Sequence, residues 1–273
     1  MAYKFKSVDC GGRSIRYVCK GTGIPAVVID QGQGLSIERS FERSVPIGWG
    51  RVFIRVQESV QVVMHDRAGL GSSDPAPAPR TSSQMVDDLR VVLAEARVPS
   101  PYVLVGHSVG GFNVRVFAGR YPDEAAGMVL VDSSHPDQIS RLAEIVPPEA
   151  PGEPPPLRLL RRGPDATQST EHIDFGACAE QARKVATIGS RPLVVVSQSP
   201  RALAPPGIPV PVWERMQPAW SKLQADLMRL SGESTHMMAT HAGHMVQLEE
   251  PDLVIEAILH VVHAVRLGMR RLH

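Results

Sequence analysis

The sequence predicts an α/β fold in which a mostly parallel sheet is covered by helices on both faces. Short apolar runs without polar alternation are typical of strands that are buried on both sides. Helical patterns separate these runs, and a hairpin at the start predicts an antiparallel edge to the sheet. Eight strands are expected, at residues 3–8, 14–19, 26–29, 60–64, 102–105, 128–131, 193–196 and 236–239.

Four helices are predicted between the strands from apolar residues at helical spacing. The clearest covers residues 81–97, where Thr81 and Gln84 form a capping box at the helix start. The apolar stripe of this helix consists of Met85, Leu89, Val92, Leu93 and Ala96. The other three cover residues 112–121, 213–230 and 251–267, the last with Pro251 at a position that favours a helix start.

Two segments interrupt this alternation of strands and helices. Residues 39–58 have weak periodicity and receive no assignment. Residues 133–191 are longer than an ordinary connection, and their Pro-rich stretch 146–156, VPPEAPGEPPP, excludes one continuous helix because interior prolines remove a donor and clash with the preceding turn. We expect 133–191 to be a cap inserted into a core formed by 1–132 and 192–273. A structureless surface loop is the alternative, although such long loops are uncommon inside compact domains.

Composition and charge exclude several classes of function. The chain has 273 residues, of which 43% are hydrophobic, which is enough for a sizeable core. Lys and Arg total 29 and Asp and Glu total 28, so the net charge is +1. No long run of like charges occurs, so the sequence gives no electrostatic reason to expect binding to nucleic acid or to an anionic membrane.

Cysteines and apolar segments bear on the cellular compartment. Cys10, Cys19 and Cys178 form no C-x-x-C pair, which argues against a disulfide framework or a zinc site and fits a reducing cytosol. The first residues lack the apolar region of a secretory signal. No run approaches the roughly 18 apolar residues of a membrane span. We therefore expect a cytoplasmic protein.

Residues 106–111, GHSVGG, stand between a predicted strand and a predicted helix. This is the context of a nucleophile elbow, a tight turn in which the residues two before and two after the serine must be small, here Gly106 and Gly110. The serine then projects at the N-terminus of a helix, where the dipole and free N–H groups favour a developing anion. We predict that Ser108 is a nucleophile; a glycine-rich turn with an idle serine is the alternative.

Further stretches accompany this motif in a fixed order. Residues 65–73, HDRAGLGSS, are similar to the D-R-x-G-x-G-x-S loop that follows the fourth strand in the α/β-hydrolase superfamily. Residues 121–122 and 130–132 match the segment after the elbow helix, and residues 242–244 before 250–251 resemble the histidine loop. The chain thus resembles that superfamily over nearly its whole length. The resemblance implies the α/β-hydrolase fold, with an eight-stranded sheet and an inserted cap.

A serine hydroxyl needs a base, and the base needs an orienting acid. Of the ten histidines, the resemblance implies His244 as the base, and His241 in the same loop is the alternative. His107, inside the elbow, is expected to pack beside the site or to line the substrate pocket.

The acid follows a less common pattern. In the superfamily it usually follows the strand after the cap, but here that strand leads into SQSPR, residues 197–201, without a carboxylate. Some members carry the acid one strand earlier, and there this chain has Asp132, at the carboxyl end of a predicted strand where ligand-facing residues belong. Asp132 could instead cap a turn. Glu214 and Asp137 are the other candidates.

An oxyanion hole needs two backbone N–H groups. One is expected from Val109 and the other from the loop 30–34, DQGQG, where Gln31-Gly32 replaces the His-Gly that is usual in the superfamily. The aligned donor is Gln33, and Gly34 or a neighbour is the alternative. Gly32 and Gly34 permit close approach of the backbone and are expected beside the substrate.

Two groups of side chains receive supporting roles. Asp66 and Arg67 are interpreted as structural, since the carboxylate can accept turn N–H bonds and the guanidinium can connect loops. An apolar pocket wall is expected from cap residues, namely Leu142, Ile145, Leu157, Leu159 and Leu160.

The residues together predict a serine hydrolase of carboxylic esters. A serine nucleophile excludes the superfamily branches that use aspartate, the haloalkane dehalogenases and epoxide hydrolases. The early acid also resembles hydrolases that open macrocyclic lactones such as macrolides. We expect a small-molecule ester or lactone as the partner, no metal or organic cofactor, and a monomer or homodimer. A hydroxynitrile lyase, a cofactor-free oxygenase or a ligand-binding receptor on the same fold are alternatives, because the fold does not fix the function.

Overall fold

The sheet of the computed structural model has eight strands, and the structure describes residues 3–42 and 48–271. The strands are β1 (Lys6–Asp9), β2 (Ser14–Lys20), β3 (Ala26–Asp30), β4 (Val62–His65), β5 (Tyr102–His107), β6 (Ala125–Val131), β7 (Leu193–Ser197) and β8 (Ser234–Met238). Their order is β1-β2-β4-β3-β5-β6-β7-β8. β2 pairs antiparallel with β1 and with β4, and every other neighbouring pair is parallel. The predicted mostly parallel sheet with an antiparallel start is confirmed.

Ten α-helices lie in the described part of the chain. They are α1 (Ile37–Ser40), α2 (Gly50–Val56), α3 (Ser82–Glu95), α4 (Gly110–Arg120), α5 (Gln138–Ala143), α6 (Pro155–Arg162), α7 (Phe175–Arg183), α8 (Val210–Leu227), α9 (Val246–Glu249) and α10 (Pro251–Arg271). The four predicted helices are α3, α4, α8 and α10. The capping box of α3 is present, with the Thr81 N–H donating to Gln84 Oε1 at 2.9 Å. Within residues 3–42 and 48–271, no helix is long and apolar enough to cross a membrane.

Helices cover both faces of the sheet. On one face, α3, α4 and α7 bury side chains such as Leu89, Phe112 and Cys178 against the strands. On the other face, α2 and α10 bury side chains such as Phe53 and Ile258. Strands β3, β4, β5 and β7 are buried along their whole length, which is why their sequences lack polar alternation.

Residues 39–58, which had no assignment from sequence, contain the end of α1 and the whole of α2; residues 43–47 lie outside the described chain. α2 packs against the opposite face of the sheet from α4, with Val52, Phe53 and Val56 buried. Its N-cap residue, Trp49, makes no side-chain capping bond. A helix of two turns without a capping residue leaves little periodic or capping signal in the sequence.

Residues 133–191 contain three α-helices, so the alternative of a structureless loop is wrong. The helix α7 belongs to the main core, where the Phe175 ring meets the Phe112 ring at a centroid distance of 5.2 Å. The helices α5 and α6 pack instead against α8 in a separate cluster formed by Leu142, Val146, Leu157, Val212 and Met216. The Pro-rich stretch ends where α6 begins, with prolines in the first turn, where a missing N–H costs no helical bond.

The cluster changes the expected role of the cap leucines. Leu142 and Leu157 are buried in it, and Leu159 is 48% exposed. The expectation that these three line a pocket wall is therefore wrong, because two are consumed by helix packing and the third lies on the surface. The division into a core and a cap stays a prediction.

Candidate active site

Ser108 lies in a strained turn between β5 and α4. Its φ is +53°, in the left-handed region that non-glycine residues rarely adopt and that costs about 1–3 kcal/mol. A Cβ on Gly106 would lie 2.6 Å from Val114 Cγ2 and 2.7 Å from the Gly110 carbonyl oxygen. A Cβ on Gly110 would collide with the carbonyl of Asp30. The two glycines flanking the serine are thus required by close backbone contacts.

Asp132 and His244 form a pair although they are far apart in the sequence. His244 Nδ1 lies 2.6 Å from Asp132 Oδ2, and the His244 side chain is 45% exposed while the carboxylate is buried. Asp132 directly follows β6, with a φ of +37°. In residues 3–42 and 48–271, no hydrogen bond joins the Ser108 hydroxyl to the His244 ring.

The second oxygen of Asp132 is also held. Oδ1 accepts the backbone N–H of Gln198 at 3.0 Å and the indole N–H of Trp220 at 2.8 Å. Gln198 follows β7 and Trp220 lies on α8. Sequence reasoning missed both, because a tryptophan on an amphipathic helix is normally a core residue and a backbone N–H leaves no signal in the sequence.

His107 is buried behind the His244 loop. Its Nε2–H donates to the His244 carbonyl at 2.9 Å, and the two rings lie 4.8 Å apart between centroids. Burial lowers the pKa of His107 well below its ordinary value, and the neighbouring His244 adds to this effect. The ring is therefore neutral, and because a carbonyl only accepts, its proton lies on Nε2. Its expected contact with substrate stays a prediction.

The histidine loop is held from below by two carboxylates. Glu250 accepts the N–H groups of Thr240, His241 and Ala242 at 3.0, 2.7 and 2.7 Å, and Glu249 accepts the Gly243 N–H at 2.8 Å. Burial raises the pKa of Glu250, but these backbone donors outweigh burial and lower it.

The alternative site residues lie outside the Asp132–His244 pair. The His241 side chain is 73% exposed and lies 3.3 Å from Glu250. Asp137 pairs with Arg183 at 2.6 Å, and Glu214 is exposed on α8. The structure therefore brings His244 to Asp132, pairs His241 and Asp137 with other side chains, and leaves Glu214 on the surface.

The loop 30–34 packs against the elbow. A Cβ on Gly32 would lie 2.6 Å from His107 Nδ1 and 3.3 Å from Ser108 Cβ. Among the described residues, the N–H groups of Val109 and Gln33 donate to no protein acceptor. The Gly34 N–H donates to Glu171 Oε1 at 2.7 Å. The two predicted donors are thus not engaged by the protein, whereas the alternative at Gly34 is engaged, and the oxyanion hole stays a prediction.

A buried arginine fixes this loop. Arg67 donates through Nη1 to Asp30 Oδ1 at 2.5 Å and to the Gln31 carbonyl at 2.6 Å, and through Nη2 to the Gly32 carbonyl at 3.0 Å. Its Nε donates to Glu171 Oε2 at 2.7 Å, and all three charged side chains are at most 3% exposed. Burial alone would lower the pKa of Arg67, but the two carboxylates outweigh burial and raise it. The structural interpretation of Arg67 is confirmed.

Glu171 is a second residue that sequence reasoning missed. It lies within residues 133–191, 104 residues from Arg67, and a single glutamate there carries no motif. Its two oxygens accept from Arg67 Nε and from the Gly34 N–H, so the segment 133–191 contributes directly to the loop beside Ser108.

Comparison with known proteins gives matches over most of the chain. Residues 35–257 match the alpha/beta hydrolase family. The uncharacterized protein YqjL of Bacillus subtilis (strain 168) is 26% identical over 245 residues, which are 89% of this chain and 85% of that protein.

Two solved structures share the fold. A thermophilic esterase from Thermogutta terrifontis has a TM-score of 0.63 at 21% identity, with 96% of this chain and 99% of that chain covered. A serine hydrolase involved in carbazole degradation has a TM-score of 0.62 at 17% identity, with 96% and 100% covered. At these identities the likeness concerns the fold alone.

Proposed function

Because the chain belongs to the alpha/beta hydrolase family, we propose that it is a serine hydrolase that cleaves carboxylic esters. One observation carries the proposal: a strained Ser108 at the start of α4 lies in the same site as a His244 ring that is paired with a buried Asp132. Strain of this kind persists only where the surrounding structure enforces it, and it is concentrated at active sites.

The chemistry follows from the atoms in the site. Ser108 Oγ attacks the ester carbonyl carbon while its proton passes to His244 Nε2. The N–H groups of Val109 and Gln33 stabilise the oxyanion of the tetrahedral intermediate. The C–O bond to the alcohol breaks, and the alcohol leaves with the proton from His244. Water, deprotonated by the same ring, then attacks the acyl-enzyme and releases the acid and Ser108.

Asp132 holds the His244 ring in the tautomer with its proton on Nδ1. Its charge also stabilises the imidazolium that forms when the serine proton is taken. The 2.6 Å contact supports this role. His107 stays neutral next to the ring and so adds no cation that would oppose the imidazolium.

Cyclic esters are included in the proposed substrate class. The acid after β6 resembles that of hydrolases that open macrocyclic lactones, so macrolide-type esters belong in the substrate screen. Ring opening of a lactone uses the same steps, except that the alcohol stays attached to the acyl group.

The test is intact-mass spectrometry after treatment with a fluorophosphonate probe. We expect one adduct on the wild-type protein, none on Ser108→Ala, and slow labelling of Asp132→Asn and His244→Ala. His241→Ala is the matched control from the same loop and should label like wild type. An ester and lactone screen, macrolides included, then defines the substrate. A folded wild-type protein that does not label would contradict the hydrolase proposal and favour a binding role.

A further inference from the structure

Asp132 accepts from two donors that the proposed mechanism does not use. The indole N–H of Trp220 and the backbone N–H of Gln198 donate to Oδ1 at 2.8 and 3.0 Å, and His244 Nδ1 lies 2.6 Å from Oδ2. Asp132 is 0% exposed, so its hydrogen-bond partners are protein groups. Rotation of the carboxylate away from His244 would leave buried polar groups without partners, which is costly.

Trp220 also borders the cluster that joins α8 to the cap helices. It packs at the edge of the apolar group that contains Leu142 and Leu157, together with Ala219 of the same helix. One side chain therefore touches the packing of α5 and α6 through its ring and the carboxylate of Asp132 through its N–H. The packing of α8 against α5 and α6 therefore determines the position of the Trp220 indole N–H.

We infer that Trp220 is a positioning residue for the proposed ester hydrolysis: its indole N–H fixes Asp132 in the orientation that pairs with His244. The inference rests on the proposed function for its effect on rate, but not for its effect on the Asp132–His244 hydrogen bond. Trp220 does not touch the reacting atoms and acts through Asp132.

The chain supplies a matched control on the same helix. Trp213 lies two turns before Trp220 on α8, and its indole N–H also donates to an oxygen, the Ala202 carbonyl, at 2.7 Å. Both side chains are partly buried. Trp213→Phe and Trp220→Phe thus remove the same atoms and one hydrogen bond each, but only the second bond ends on Asp132.

The experiment compares the rate of fluorophosphonate labelling and its pH profile in these two variants. Trp220→Phe should label about 10- to 100-fold more slowly, the factor that corresponds to one hydrogen bond to a charged group. The acidic limb of its pH profile should move to lower pH, because a carboxylate that is no longer held against the His244 ring stabilises the imidazolium less. The charged or titratable groups facing the His244 ring, Asp132 and His107, are the same in both variants. Trp213→Phe should keep the wild-type rate and profile.

Proton NMR provides a readout that does not depend on activity. The proton between His244 Nδ1 and Asp132 should give a low-field resonance that shifts or broadens in Trp220→Phe and stays in place in Trp213→Phe. The inference is overturned if both variants show the wild-type resonance. It is also overturned if the two variants have the same labelling rate and the same pH profile. Absence of labelling in the wild type contradicts the proposed function instead, and the resonance then decides the inference by itself.

Discussion

The two sides of Ser108 are held by different kinds of interaction. On the loop side, Arg67 is buried between the carboxylates of Asp30 and Glu171, and these ion pairs fix the backbone of loop 30–34. On the histidine side, the buried carboxylate of Asp132 accepts from the neutral donors of Gln198 and Trp220, and Glu249 and Glu250 accept from backbone N–H groups of the histidine loop. Permanent buried charges suit the loop side, because its proposed task is to keep backbone N–H groups in place throughout the reaction.

Neutral surroundings suit the histidine side for the opposite reason. In the proposed mechanism, a positive charge appears on His244 and disappears again in each cycle. A permanent cation next to the ring would oppose that charge, and a second carboxylate would compete for the ring. Trp220 and His107 donate hydrogen bonds without carrying charge, so they position Asp132 and His244 without placing a permanent charge beside the ring.

The largest expected effect is the loss of unfolding free energy when the ion pairs on the loop side are removed. Arg67→Met leaves the carboxylates of Asp30 and Glu171 buried without their cation, which should cost about 3–5 kcal/mol of unfolding free energy. Urea unfolding measures the loss. Glu171→Gln should cost less, because its amide oxygen can still accept the Gly34 N–H.

The control for this variant is a surface ion pair of similar geometry. Arg55 lies 2.6 Å from Glu58, and the two side chains are 63% and 54% exposed. Arg55→Met should change the unfolding free energy by no more than about 1 kcal/mol, because water screens exposed pairs. Equal losses for Arg67→Met and Arg55→Met would show that the buried network does not stabilise the loop.

The next largest effect concerns the neutral side. His107→Phe keeps a buried ring but removes the donor to the His244 carbonyl, which should cost about 1–3 kcal/mol near pH 8. Burial lowers the pKa of His107, so below an ordinary imidazole pKa of about 6.5 the unfolded chain binds a proton that the folded ring does not. The free energy of unfolding of the wild-type protein therefore decreases as the pH falls below about 6.5. The difference in this free energy between wild type and His107→Phe should shrink at the same time.

Urea unfolding near pH 8 and near pH 5 measures this convergence. His263→Phe, at an exposed position on α10, is the control and should give no comparable convergence. A difference between wild type and His107→Phe that is constant with pH would mean that the buried ring is not kept neutral.

Sequence patterns predicted the residues that belong to a local motif or a strand end, but missed one supporting residue on each side of Ser108. Ser108 was predicted from a local motif, Asp132 from its place at a strand end, and His244 from the resemblance of its loop. The structure brings Asp132 and His244 together. Trp220 and Glu171 were not anticipated, because they reach partners 88 and 104 residues away in the chain. A single long-range side chain leaves no period and no spacing in the sequence, so only the fold reveals it.

The smallest expected effect is on the pH dependence of stability, and it comes from Asp66, a carboxylate near the loop side that is not part of the ion pairs. Asp66 Oδ1 accepts the Ile37 N–H at the start of α1 at 2.7 Å, and burial raises the pKa of Asp66 to about 7. The folded state thus holds a proton that the unfolded chain releases above about pH 4, so stability falls as the pH rises toward 7. Asp66→Asn keeps an oxygen that can accept the Ile37 N–H, and its side chain cannot ionise.

The melting temperature of Asp66→Asn relative to wild type should therefore rise between about pH 5 and about pH 8. Asp74→Asn is the matched control, since Asp74 accepts the Ser14 N–H at 2.7 Å but is exposed, and parallel pH dependences for the two variants would contradict the prediction.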